Sequence, residues 1–253
     1  MRNYEEETIK RVEWIKKVIA QSNSNGIVYG ASGGKDSALV GILCKKATDH
    51  VLGVMMPCVS KQNYSTDMQH SDMLAEAFSI PTTTVDLTGA YETLLQAIST
   101  KGQPTERAKI NIGPRLRMTT LYTIGQSMKY LVAGTGNSSE IYMGYFTKWG
   151  DGAFDFNPIG DLTATEIIEF LHYLRCPKEI TDKPPSAGLY EGQTDEGEMG
   201  VTYQAIDTFI KTGTGNEKDI YKIKKAHSIS EHKRSIPLVY DFEGGSDDEE
   251  NRS

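Results

Sequence analysis

The chain has 253 residues, 38% apolar and 24% charged, enough to bury a core in one α/β domain or two small ones. Its longest apolar runs, such as Val51–Met56, are far too short to cross a bilayer. Its five histidines and three cysteines (Cys44, Cys58, Cys176) show neither zinc-protease nor redox-pair spacing. A zinc enzyme is therefore not expected, and reduced thiols in the cytoplasm are. The formal charge of −7 is concentrated in Asp241–Ser253, which holds six acids and one arginine and leaves residues 1–240 at −2. That body gives no electrostatic reason to expect nucleic acid, and the acidic tail reads as a solvated, disordered end. The polar segment Met1–Glu7 resembles no signal peptide. No internal repeat or clean boundary divides the rest, so residues 1–240 are read as one domain.

Helix and strand signals alternate from the start. Ile9, Val12, Ile15, Val18 and Ile19 repeat at helical spacing, and the helix ends near Asn23–Gly26. Gly26–Gly30 is a short buried strand, followed by a helix over Ser37–Ala47 with Leu39, Ile42 and Leu43 inward. His50–Met56 is a second strand, stopped by Pro57. A helix over Asp67–Phe78, a third strand over Thr82–Leu87 and a helix over Ala90–Ser99 follow. The pattern predicts a longer helix over Arg115–Lys129, with Pro114 at its first position, and then a fourth strand at Tyr130–Ala133. Beyond that lie an aromatic, glycine-rich loop (Gly144–Gly160) and a helix over Leu162–Leu174. Thr163 and Glu166 there have the spacing of a capping box. Lys183–Gly200 is long and rich in Pro, Gly and acids, as a mobile lid would be. Met199–Ile210 and Glu217–Ala226 read as helices. Strands separated by helices imply an α/β fold, a parallel sheet with right-handed crossovers and helices on its faces. Ligands of such sheets sit at the carboxyl ends of the strands. Two glycine-rich segments, Gly30–Gly34 and Gly134–Asn137, fall at such ends.

Gly30-Ala31-Ser32-Gly33-Gly34-Lys35-Asp36-Ser37 joins a strand to a helix. Adjacent glycines let backbone N–H groups converge on one anion, and the helix adds its positive end. Ser32 and Ser37 can donate hydroxyl hydrogen bonds, and Lys35 can neutralise phosphate. Asp36 would repel phosphate unless a cation lies between them, so it predicts Mg2+. The Walker pattern fails because Asp36 follows Gly34-Lys35 and Tyr29 stands at the first glycine position; GxGxxG is also absent.

Ser32–Ser37 resembles the pyrophosphatase loop of enzymes that split ATP into AMP and pyrophosphate, among them GMP, argininosuccinate, asparagine and NAD synthetases. Six later segments resemble NAD synthetase in particular, in that family's order: Asn111–Met118, Gly134–Glu140, Gly144–Asp151, Lys183–Ala187, Gly192–Glu196 and His232–Arg234. The resemblance implies a Rossmann-like three-layer sandwich of the adenine nucleotide alpha hydrolase type. It implies ATP contacts at Gly30–Ser37, Thr135 and Ser186, and metal carboxylates at Asp36 and Glu140. It places deamido-NAD on Arg115, Lys148, Asp155, His232 and Lys233. Phe146 and Trp149 could stack on the pyridine ring or pack the loop. One departure stands out: the family usually carries a phosphate-binding lysine where this chain has Ala164.

The implied reaction has two steps. The pyridine carboxylate of deamido-NAD attacks the α-phosphorus of ATP, and ammonia then attacks the resulting acyl-adenylate. Lys35, Lys148 and Asp151 are the catalytic candidates, Asp151 for orienting or deprotonating ammonium. About thirty residues precede the loop, too few for an amidase domain of ordinary size, so free ammonia is the expected donor. The resemblance also implies a homodimer. Its rivals are a related synthetase acting on another carboxylate and a non-enzymatic adenine-nucleotide sensor.

Overall fold

The computed structural model describes residues 2–59, 65–183 and 194–240. Ser186, the stretch 184–193 of the expected lid and the acidic tail 241–253 lie outside the described residues.

Four parallel strands form the sheet: β1 (Gly26–Gly30), β2 (Val51–Met55), β3 (Thr82–Thr84) and β4 (Tyr130–Ala133). Their order is β3-β2-β1-β4, with Tyr29 opposite Gly53 on one side and Ala133 on the other. The chain winds outward through β2 and β3, then returns to place β4 on the far side of β1. The switch point therefore lies between β1 and β4, and both glycine-rich segments leave the sheet there.

One face of the sheet is covered by α1 (Tyr4–Ser22), α2 (Lys35–Ala47), α3 (Thr66–Phe78), α8 (Ala164–Tyr173) and α9 (Lys178–Thr181). Ile15, Leu39, Leu43, Phe170, Leu171 and Ile180 are buried there. The other face is covered by α4 (Thr88–Ser99) and α6 (Ile112–Met128), whose Tyr91, Leu116, Leu121 and Ile124 pack on Val28, Val54 and Val132. Each fully buried aliphatic side chain among these, such as Leu39, Leu43, Val28 or Val54, contributes roughly 1.5–3 kcal/mol by leaving water. Tyr29 is wholly buried under α2, and Gly41 makes this possible: a Cβ there would lie 2.3 Å from the Tyr29 hydroxyl. A second apolar cluster, including Met143, Val201, Tyr203, Ile206 and Ile223, joins α7 (Ser138–Met143), α11 (Tyr203–Thr212) and α12 (Glu217–Ile229).

The structure corrects several boundaries. α6 begins at Ile112, so Pro114 is its third residue; a first-turn residue needs no N–H partner, and proline is tolerated there. β3 stops at Thr84, beyond which the chain keeps only single backbone contacts to Met55 and Pro57. The helix expected from Met199 is two: α10 (Asp195–Met199) ends at Gly200, which adopts φ +66°, and α11 starts afresh under the Thr202 cap. Three short helices, α5 (Glu106–Ile110), α7 and α9, had no counterpart in the sequence reading. Ile9, which helical spacing groups with Ile15, is exposed on α1 while Ile15 is buried. The Thr163–Glu166 capping box is present at α8. Among the described residues no helix is long and apolar enough to cross a membrane.

Candidate functional site

A cleft of about 1410 Å³ opens at the carboxyl ends of β1 and β4. It is bounded by the loop before α2, the segment after β4, one flank of α6, α10, and a 3₁₀ turn at Glu231–Lys233. Pockets for one small ligand usually enclose about 300–1,000 Å³, so this one has room for two substrates side by side.

The β1–α2 loop forms one end. Gly33 has φ +71°, and a Cβ on it would lie 2.2 Å from the Asp67 carbonyl, so only glycine fits where the loop touches α3. Gly34 starts α2 without a side-chain cap, leaving the helix N–H groups facing the cleft. Ser32 and Ser37 bond to each other through their hydroxyls (3.0 Å). Lys35 is only 6% exposed and pairs with Asp36. Burial would lower its pKa, but Asp36, Glu140 and Asp195 outweigh that and raise it, so the ammonium stays charged. Across the switch point, Asn137 caps α7 and donates its amide to Asp36 Oδ1 (2.9 Å). Glu140 closes the capping box by accepting from the Asn137 N–H (3.1 Å). Desolvation first and Asp36 second push the Glu140 pKa up to about 8. Two carboxylates crowded this way suit a hard cation with oxygen ligands. Among the described residues no three His, Cys, Asp or Glu side chains form a metal cage, so a cation here would complete its shell with phosphate oxygens and water, as Mg2+ commonly does. Thr135 lines the same end, and Asp195 lies against it, accepting from Tyr145 (3.2 Å) and Tyr203 (3.0 Å).

The other end is cationic. Arg115 and Lys148 line it together with His232 and Lys233. Arg115 donates to the Lys148 carbonyl (3.4 Å), and Lys148 donates to the His232 carbonyl. Lys233 donates to the carbonyls of Gly144 and Phe146 (both 2.7 Å). These bonds tie α6, the segment 144–148 and the 3₁₀ turn together around this end of the cleft. Burial first, then nearby Arg107, lowers the Lys233 pKa. Asp151 lines the cleft and accepts from the Thr147 N–H (2.9 Å). Protein crowded around its carboxylate raises its pKa, outweighing that hydrogen bond and the nearby Lys233 and Arg117. Phe146 lines the cleft, whereas Trp149 is exposed outside it with the Lys148 ammonium over its ring. Asp155 is not brought to this site. It is absent from the described cleft lining, and its carboxylate accepts from the β4 backbone at Val132 (2.7 Å) and from Tyr122 (3.2 Å).

The sequence pattern of the family described as NAD synthase matches residues 7–237. The chain belongs to that family. Among similar NAD synthase-family proteins, the NH(3)-dependent NAD(+) synthetase of Carboxydothermus hydrogenoformans is 46% identical, over 94% of this chain and 98% of its own length. A solved structure of an NMN synthetase from Francisella tularensis is 39% identical with a TM-score of 0.90, covering 96% of this chain and all of that one. The NH3-dependent NAD synthetase of Campylobacter jejuni is 28% identical with a TM-score of 0.76, covering 95% of this chain and all of that one.

Within this NAD synthase fold, the cleft includes residues to which the sequence reading gave no role. Arg107 on α5 and Arg117 on α6 both line it, and Arg117 donates to the Met56 carbonyl (3.0 Å). Lys183 lines it too and pairs with Asp67 across the mouth of the loop. Arg117 and Lys183 fall within segments that carry the family resemblance, Asn111–Met118 and Lys183–Ala187, whereas Arg107 falls in none of them. Ala164 is buried against Met143, Tyr203 and Ile206, so the place of the family's usual lysine is closed by apolar packing.

Proposed function

We propose that this chain catalyses ATP-dependent amidation of deamido-NAD by ammonia, giving NAD, AMP and pyrophosphate through an acyl-adenylate. The observation that carries the reading is the two-ended cleft: a phosphate-type loop with paired carboxylates at one end and basic side chains at the other, lining one continuous cavity.

ATP would lie with its phosphates over Gly30–Ser37 and beside Thr135, and Ser186 is a proposed further contact. Lys35 exchanges Asp36 for a phosphate oxygen as the nucleotide enters, and its charge follows the leaving pyrophosphate. Asp36 and Glu140 would hold Mg2+, which when bound neutralises charge on the phosphates. Arg115, Lys148, His232 and Lys233 would seat the diphosphate and ribose of the pyridine nucleotide and bring its carboxylate in line with the α-phosphorus. Phe146 offers an apolar face to the ring. Asp155 could support the site only indirectly, through β4. In the second step Asp151, with its raised pKa, orients ammonium and takes a proton from it, leaving ammonia to attack the acyl carbon.

A homodimer is part of the proposal: Leu94 and Ile98, four apart on α4, are exposed apolar groups that a second copy would cover. Light scattering at micromolar concentration should give twice the chain mass; a pure monomer would overturn this. Residues 1–240 are proposed to act as one unit. A reducing, cytoplasmic setting suits three buried, unpaired cysteines.

One observation favours a second acceptor. The Francisella chain described as an NMN synthetase superposes with a TM-score of 0.90, against 0.76 for the Campylobacter NAD synthetase. The acceptor would then be the acid mononucleotide. Comparing kcat/KM for the two acids decides between them. The present reading predicts the dinucleotide ahead, and a mononucleotide preference of ten-fold or more would replace it.

A further inference from the structure

Behind the Asp36–Glu140 pair lies a buried polar knot that no step above uses. Ser139 is fully buried and Asp207 is 4% exposed. Ser139 donates its hydroxyl to Asp207 Oδ1 (2.5 Å), and Thr165 donates both its N–H (2.8 Å) and its hydroxyl (2.6 Å) to Asp207 Oδ2. The Ala164 N–H reaches Ser139 Oγ (3.2 Å), and the Ser138 N–H reaches the Leu162 carbonyl (2.8 Å). A buried carboxylate is costly unless donors compensate it. Here three donors and the positive end of α8 do so, which ties α7, α8 and α11 at one point.

Glu140 is next to Ser139 in α7, a helix of six residues. A helix that short cannot fix its own direction through its internal hydrogen bonds. Its outer side is set by the Asn137 amide on Asp36, and its inner side by the knot at Ser139. The first turn of α8, where the resemblance anticipated a lysine, therefore gives its N–H groups to α7 and Asp207 and gives the cleft no charge. We infer that Asp207, acting through Ser139, is a positioning residue that aims Glu140 at the cation site opposite Asp36. The inference rests on the Mg2+ reading of that pair.

The test is Mn2+ binding, by calorimetry or EPR, to the full chain in the presence of a non-cleavable α,β-methylene ATP analogue. Wild type, Asp207→Asn and Ser139→Ala are compared, with thermal unfolding and deamido-NAD affinity as parallel readouts. Loss of outer-shell support typically weakens a metal about 10–100-fold, so both variants should bind Mn2+ at least about ten-fold more weakly, with deamido-NAD affinity kept within two-fold. If Asp207→Asn fails to fold, Ser139→Ala carries the comparison, since it leaves the Thr165–Asp207 bonds in place. Wild-type Mn2+ affinity in the folded variants, with only a lower Tm, would reduce the knot to scaffolding and overturn the inference. A wild-type chain that binds no Mn2+ at all would instead overturn the Mg2+ reading beneath it.

Discussion

Lys35 was legible as a phosphate cation from its place after two glycines, but its electrostatic setting was not. Asp36 is its chain neighbour, but only the fold brings Glu140 and Asp195 around it. Lys35→Ala should lower the rate of pyrophosphate release by about 10²–10³, the usual cost of losing one preorganised charge contact. A rate within three-fold of wild type would contradict that role. Asp151 permits a pH test with a definite sign. Its folded pKa is raised by desolvation, so its base form is lost at a higher pH than for an ordinary aspartate. The acid limb of kcat against pH should lie above the ordinary carboxylate range, and Asp151→Asn should remove that limb and lower kcat. The same shift acts on stability. A carboxyl whose folded pKa exceeds its unfolded pKa contributes stability below the unfolded value, lost as pH rises through the folded value. Asp151→Asn should therefore raise Tm relative to wild type at neutral pH, with the gain vanishing in acid. A Tm gain confined to acid would contradict the assignment. Asp155 was legible as a position matching the family's dinucleotide site, and the structure adds partners that no sequence pattern shows, the Val132 N–H and the Tyr122 hydroxyl.

The long helices were visible because their periodicity runs over many residues, and the short strands because each is an apolar or β-branched run bounded by turn residues. α5 and α7, at five and six residues, are too short to show any period, yet they carry Arg107 and Glu140 to the cleft. Capping chemistry was more legible than length. Thr163 and Glu166 form the anticipated box, and Thr163→Ala should cost about 1 kcal/mol. That loss should appear as a lower urea midpoint with kcat unchanged; a matching loss of kcat would mean that α8 acts on the chemistry directly. The loop offers the converse case. At Gly33 both the positive φ and the contact with the Asp67 carbonyl exclude a Cβ. Gly33→Ala should introduce strain of roughly 1–3 kcal/mol and raise the KM for ATP while leaving the KM for deamido-NAD unchanged. Equal effects on both KM values would show that the two ends of the cleft are not separable.

Alternation of strands and helices was enough to anticipate a parallel sheet, and the two glycine-rich segments were enough to anticipate where ligands sit. The sheet order was not available from the chain, because the return of β4 to the far side of β1 depends on which strand edges pair. That return makes one cleft from segments more than 100 residues apart, with Ser32–Ser37 at one end and His232–Lys233 at the other. The family match over residues 7–237 accords with a chain whose site draws on nearly its whole length. The most direct test is a single incubation of the purified protein with ATP, Mg2+, ammonium and deamido-NAD, quantifying NAD and AMP together. Equal amounts of NAD and AMP, formed only when all four are present, are the predicted result. No AMP under those conditions, or AMP formed without NAD, would contradict it.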